Sequence, residues 1–267
     1  MVVFDPELAA RMKMPKELLE RAEELHFAMH IGTRHVYAAL YENASFTCLW
    51  SVSAEVPAGI SVFKFIYQRN WIEAVFRRCS VTFDTDCYAL IPSSLFDPQA
   101  CADYLHMQHG VMSQQTGYVD LPEVEAALCF ELPEWNTELL KYFPNARIVP
   151  LSALIIRAAI GGKQTGPSDF VLVHSSSSVT IAAIKNRSLV LLSTHEARAE
   201  EDVLYHLSNA AMRLQIDLDN CSLQLLNMSE TPDLLTLLQR YTKHASKLDI
   251  HSNSDYGAST QLHYLCA

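Results

Sequence analysis

Four serines in a row, Ser175, Ser176, Ser177 and Ser178, follow His174 at the end of the apolar run VLVH. A second histidine, His30, ends the similar run HFAMH and is followed by Ile31, Gly32 and Thr33. Small residues in a turn let backbone N–H groups reach phosphate oxygens, so these two turns are the places where an anion could be cradled. The two imidazoles could face each other across a cleft and hold a metal or an anion, or simply hydrogen-bond to neighbouring backbone. Other groups offer less. Asp84 and Asp86 flank one threonine and could pair as acid and base, although aspartates so placed are ordinary turn formers. His106 and His109 sit three apart toward a helix end and make half of a metal site at best. Lys163 in GGKQTG invites a phosphate-loop reading, but that motif runs from strand into helix, and here a helix precedes and a strand follows. Ser176 lacks the Gly-x-Ser-x-Gly elbow of a nucleophilic serine. No catalytic residue and no metal ligand is assigned.

The elements that hold the two turns are alike. Residues 26–43, HFAMHIGTRHVYAALYEN, and residues 169–186, DFVLVHSSSSVTIAAIKN, each read as strand, tight polar turn and second strand. Aligned with one residue of slippage in the first turn, Val36 meets Val179, Ala39 meets Ala182, Asn43 meets Asn186 and Ser45 meets Ser188. Both copies continue into a third apolar run, over 45–52 and 188–193. A three-strand unit occurring twice implies two similar lobes.

Between and around these units the spacing predicts alternating strands and helices, and so an α/β chain. Asp5-Pro6 reads as a helix start, and the charged residues 15–24 continue as an exposed helical arm. After Gly59 comes a helix bearing Ile60, Phe63, Ile66, Tyr67, Trp71 and Val75, a stripe that is core or partner surface. Strands follow at 79–84 and 87–92, a helix at 98–106, a polar loop at 108–116, a strand at 125–132, a helix at 134–142 and a strand at 146–150. Residues 151–160 read as a buried helix and 161–167 as a Gly-rich link. Beyond the second unit come an amphipathic helix at 200–214, a strand at 222–226, a helix at 232–241 started by Thr231, a short strand at 247–251 and a loosely held tail from 252. The domain reading is residues 1–150 as one lobe, with 1–25 as its N-terminal arm, and 151–267 as helix, second lobe and tail.

Composition narrows the function classes. The 267 residues are 49% apolar and 19% charged, with a net charge of -10, so binding of nucleic acid through counterion release is not expected. No apolar run approaches a membrane span, and the first residues lack the apolar core of a signal peptide. Seven cysteines, odd in number and without a CxxC, read as small buried hydrophobes in a reducing cell. The expectation is a cytoplasmic protein.

The run VPLSALIIRAAIGGKQTGPSDFVLVHSSSSVTIAAIKNRSL resembles the middle of the actin-like ATPase fold, where a buried interlobe helix leads through a Gly-rich link into the second phosphate hairpin. HIGTRHVYAALYEN is similar to the first phosphate hairpin, a strand ending in Asp-x-Gly-Thr/Ser. FDTDCYALIPSSLFDPQACADYL is similar to an uncharacterised bacterial family described as actin-like, and the pilus and type II secretion assembly proteins share the same two-lobed plan. The resemblance spans roughly residues 26–245. It implies two RNase H-like lobes, each opened by a hairpin and third strand. It also implies ATP with Mg²⁺ held between two turns, an acidic residue at each turn, a polar side chain on the interlobe helix and a Gly-Gly pair against the adenosine.

This chain departs from that pattern at each point. His30 and His174 stand where the acidic residues belong. Gly32 and Thr33 are retained, while Ser175, Ser176 and Ser177 form a second turn without glycine. Ser152 falls at the water-positioning place, and Asn227-Met228-Ser229 at the Gly-Gly place. Three readings follow. The first is a pseudo-ATPase serving as a cytoplasmic binding or scaffold module with a protein partner, which includes the case of a homodimer. The second is an ATP-binding actin-like ATPase with an atypical site. The third is metal or anion binding by paired cleft histidines.

Overall fold

The computed structural model describes residues 12–43, 45, 47–110, 112–161, 168–175, 177–228 and 233–248. In chain order the elements begin with a single turn α1 (Lys16–Leu19), then β1 (Leu25–Ile31), β2 (His35–Glu42), β3 (Cys48–Glu55), α2 (Val62–Tyr67) and β4 (Arg78–Phe83). Next come β5 (Tyr88–Pro92), α3 (Cys101–His109), β6 (Thr116–Leu121), β7 (Ala126–Glu131), α4 (Asn136–Tyr142), β8 (Ala146–Pro150) and α5 (Leu151–Gly161). The chain continues with β9 (Ser168–His174), β10 (Ser178–Lys185), β11 (Ser188–Glu196), α6 (Glu200–Leu214), β12 (Ser222–Asn227), α7 (Leu234–Gln239) and β13 (His244–Lys247). Contacts divide the chain into two compact units, one of residues 1–84, 132–150 and 253–267, the other of 85–131 and 151–252.

The first unit is built on the sheet β3-β2-β1-β4-β8. β1, β2 and β3 are antiparallel, while β4 and β8 run parallel to β1. All seven residues of β1 are buried, as a central strand covered on both faces requires. Leu25, Phe27, Met29 and Ile31 alternate onto the face covered by α2 and α4. There Phe27 stacks on Phe76 with ring centroids 4.6 Å apart and lies 5.1 Å from Trp71. α2 is short but well started, with the Ser61 hydroxyl accepting the Lys64 N–H. The opposite face is polar or small: His26 with Ser80 (2.7 Å), Ala28 with Ala39, and His30 with Thr82 (3.0 Å).

The expected exposed arm is corrected in its described part. Met12 and Met14 are wholly buried, and Leu18 and Leu19 pack against the same core. Asn70 holds both main-chain groups of Met14, and the Trp71 indole donates to the Met12 carbonyl. The helix start at Asp5-Pro6 lies outside the described residues.

The second unit carries the sheet β11-β10-β9-β12-β13, with the strand order and directions of the first. These are the paired RNase H-like sheets expected. Phe170, Leu172, Val179, Ile181 and Ala183 face α6 and α7, while α5 lies against β9, β10 and β11. The same unit holds a small antiparallel sheet, β5-β7-β6, covered by α3 through Cys101 and Leu105. β6 begins inside the expected polar loop, because its outward residues are polar and hide the strand. The last described strand, His244–Lys247, starts before the expected 247–251 because Ala245 reaches the core, and residues 249–251 lie outside the described residues. The residues of the Gly-rich link from 162 to 167, Thr231 and the tail lie outside the described residues. No described helix is long and apolar enough to cross a membrane.

Candidate functional site

The first turn is Gly32-Thr33-Arg34, closed by the Gly32 N–H on the His35 carbonyl at 2.8 Å. Thr33 and Arg34 are exposed, and Arg34 is spent on an exposed ion pair with Glu55 (3.0 Å) and on accepting the Val56 N–H. His30, two residues before the turn, is fully buried. Its Nδ1 hydrogen-bonds with Thr82 Oγ1 at 3.0 Å, and its Nε2 lies 3.6 Å from Asp84 Oδ1. Burial pushes the His30 imidazole toward its neutral form, and the opposing pull of Asp84 is smaller. Burial likewise raises the Asp84 carboxyl, against the pull of His30. Gly32 fits because a Cβ there would come within 3.2 Å of Asp84 Oδ2. The group that stands over the turn is therefore Asp84.

The second turn runs from Ser175 to Ser177, of which Ser176 lies outside the described residues. The Ser175 N–H donates to the Ser178 carbonyl at 2.8 Å, and the two hydroxyls meet at 2.8 Å. The Ser175 hydroxyl thus bonds within the turn, to the hydroxyl and carbonyl of Ser178. The Ser177 carbonyl accepts the Ala197 N–H. His174 is buried, its Nδ1–H donates to Asn227 Oδ1 (3.1 Å), and its carbonyl accepts the Met228 N–H (2.8 Å). Burial lowers its pKa more than Asn227, Ala197 and Glu200 raise it.

The strand register corrects the pairing of the two histidines. Ile31 sits opposite Val36, and His174 sits opposite Val179. Both links are three residues long, so there is no slippage: His174 corresponds to Ile31, and Ser175 to Gly32. Side chains alternate along a strand, so a one-residue offset reverses the face. His30 lies on the face away from α2 and α4, whereas His174 lies on the face that carries α6. The two imidazoles are therefore not equivalent groups on equivalent faces.

Ser152 lies in the first turn of α5, 4% exposed, and its hydroxyl has no hydrogen-bond partner among the described residues. Asn227 ends β12 and is held by His174. Thr33 faces solvent alone. His109 donates to or accepts from nothing catalytic: its Nε2 binds the Tyr88 carbonyl at 2.8 Å. Asp86 is exposed and Asp84 partly buried beside His30, so the acid–base pair of aspartates is not formed. The role of Asp84 has one sequence signal, a carboxylate two residues beyond Ser/Thr positions of a strand parallel to β1. Among the described residues no group of three or more His, Cys, Asp or Glu could hold a metal ion.

Two sheets of this order, each opened by a strand, a three-residue turn and an antiparallel partner, define the actin-like ATPase fold. The chain belongs to the DUF3822 family, described as proteins of unknown function, matched over residues 19–245. A Bacteroides thetaiotaomicron protein with the actin-like ATPase fold and unknown function superposes with TM-score 0.81 at 15% identity, over 95% of this chain and 100% of its own. The cytoplasmic domain of EpsL, an inner-membrane component of the Vibrio cholerae type II secretion system, superposes with TM-score 0.54 at 10% identity, covering 91% of this chain and 95% of its own. A chain of the PilM–PilN type IV pilus biogenesis complex gives TM-score 0.56 at 11% identity, covering 85% and 89%. No curated protein matches the chain significantly.

Proposed function

We propose that this protein is a pseudo-ATPase: a non-catalytic, cytoplasmic binding or scaffold module whose two lobes, an internal duplication, engage a protein partner. One observation carries the reading. Where the resemblance puts a magnesium-holding carboxylate, His30 is buried, bonded to Thr82 and driven toward neutrality. A neutral imidazole is a poor partner for a hard, hydrated cation that wants oxygen ligands. The Ser175 hydroxyl bonded to Ser178 and the polar Asn227 in place of a bare Gly-Gly backbone support the same reading. On this view His30, Gly32, Thr33, Ser152, His174, Ser175, Ser176, Ser177 and Asn227 are remnants of phosphate and adenosine sites. The described companions of the fold, EpsL and the PilM–PilN complex, belong to multiprotein machines, which favours a protein partner.

One observation favours the alternative of a Mg-ATP site: the Asp84 carboxylate stands over Gly32. The test is phosphate release from Mg-ATP by the purified chain, alongside Asp84→Asn. The pseudo-ATPase predicts release at the buffer rate for both proteins. Turnover by the native chain that Asp84→Asn abolishes would replace it with the ATPase.

A further inference from the structure

We propose that Cys101 and Cys129 form a dithiol that closes to an intramolecular disulfide, a covalent modification site inside the small β5-β7-β6 sheet. Cys101 is the first residue of α3, and Cys129 lies in the central strand β7. Their sulfurs are 3.1 Å apart, about 1 Å beyond an S–S bond, so small side-chain rotations complete the link. Both are free thiols and both are buried, at 3% and 0% exposure, in a pocket of Ala89, Ile91, Phe96 and Leu105. Tyr104 and Cys87 pack at the edge of the same cluster, and the Tyr104 hydroxyl is bonded to the Leu95 carbonyl and the Asp97 N–H rather than to either thiol. Cys48, Cys87 and Cys221 instead direct their thiols to Trp50, Ser113 and Leu218.

The oxidant is a small-molecule disulfide, RSSR. Cys101 loses its proton to solvent once the reagent is admitted, and its sulfur attacks one sulfur of RSSR. That sulfur–sulfur bond breaks, RS⁻ leaves and takes up a proton, and a mixed disulfide remains on Cys101. Cys129 then loses its proton and attacks the Cys101 sulfur, expelling the second RS⁻, which is protonated in turn. The net change is two protein thiols plus RSSR giving one protein disulfide plus two RSH. Burial slows the first step in the native protein, because α3 must lift from the sheet to admit the reagent. Closure is therefore fast during oxidative refolding and slow afterwards.

The experiment is oxidation of the full chain with glutathione disulfide, in native buffer and during refolding from urea, followed by thiol blocking and peptide mass mapping. The expected product is a peptide pair joined at Cys101 and Cys129, formed fully on refolding and more slowly from the native state. Its melting temperature should rise by about 5 °C and return to the starting value with a reductant. Cys87→Ser should leave the bond intact, while Cys101→Ser and Cys129→Ser should each remove it. Full blocking of both thiols after oxidative refolding, or a bond from either to Cys87 instead, would overturn the proposal. The mapping of the unmodified chain decides this whether or not the variants fold.

Discussion

The histidine ladder on the polar face of the first sheet makes a measurable claim at His26. Its Nε2 meets Ser80 Oγ at 2.7 Å, and the residue is 3% exposed. Burial, and then the Arg78 guanidinium, push it down from 6.5 to about 4. A group depressed in this way favours the folded state while neutral, so its contribution is complete above pH 6.5 and is lost as pH falls toward 4. Integrated between those two values, the loss is about 2.5 kcal/mol by pH 4.5. His26→Gln keeps a hydrogen-bonding side chain but does not titrate. The other depressed histidines and Asp84 remain in both proteins and cancel in the difference. The assay is urea unfolding from pH 8 to 4.5 followed by tryptophan fluorescence. It reports the first unit alone, since Trp50, Trp71 and Trp135 all belong to it. The stability of the native chain minus that of His26→Gln should be level above pH 7 and fall by about 2.5 kcal/mol at pH 4.5. A difference that stays within about 0.5 kcal/mol across the range would refute the burial argument.

Three further outcomes follow from the same geometry. His30→Ala empties a fully buried site and removes one hydrogen bond of Thr82, which also reaches the Met29 carbonyl, so the first unit should lose about 3 kcal/mol in the same fluorescence assay. Asn227→Ala removes the acceptor of His174 Nδ1–H, which should lower the His174 pKa further in an NMR titration and cost about 1 kcal/mol in calorimetric unfolding. Gly110 ends α3 at φ 71°, and Gly110→Ala should cost about 1 kcal/mol by the same calorimetry.

Much of this fold is legible in the sequence because its two central hairpins announce themselves. Alternating small and apolar residues on either side of a short polar turn specify β1–β2 and β9–β10, and Val36 and Val179 do occupy the same place after the turn. The phase of the strand before the turn is another matter. Matching His30 to His174 follows residue type, whereas the pleat follows turn length, and an offset of one residue exchanges the faces. Asp84 is hidden for a related reason: an aspartate after a strand reads as a turn former until the parallel neighbour puts it beside His30 and Gly32. The charges of residues 15–24 mask Met12, Met14, Leu18 and Leu19, whose burial depends on Asn70 and Trp71, more than fifty residues away. In TGYVDL only Val119 and Leu121 are buried, so β6 carries too short an apolar signal to stand out from its loop.

Calorimetric titration of the native chain with ATP, with and without Mg²⁺, tests the pseudo-ATPase account most directly. The account predicts no saturable heat up to millimolar nucleotide under either condition. Magnesium-dependent saturation at micromolar affinity, about -8 kcal/mol, would contradict it and return Asp84 and Gly32 to a working site.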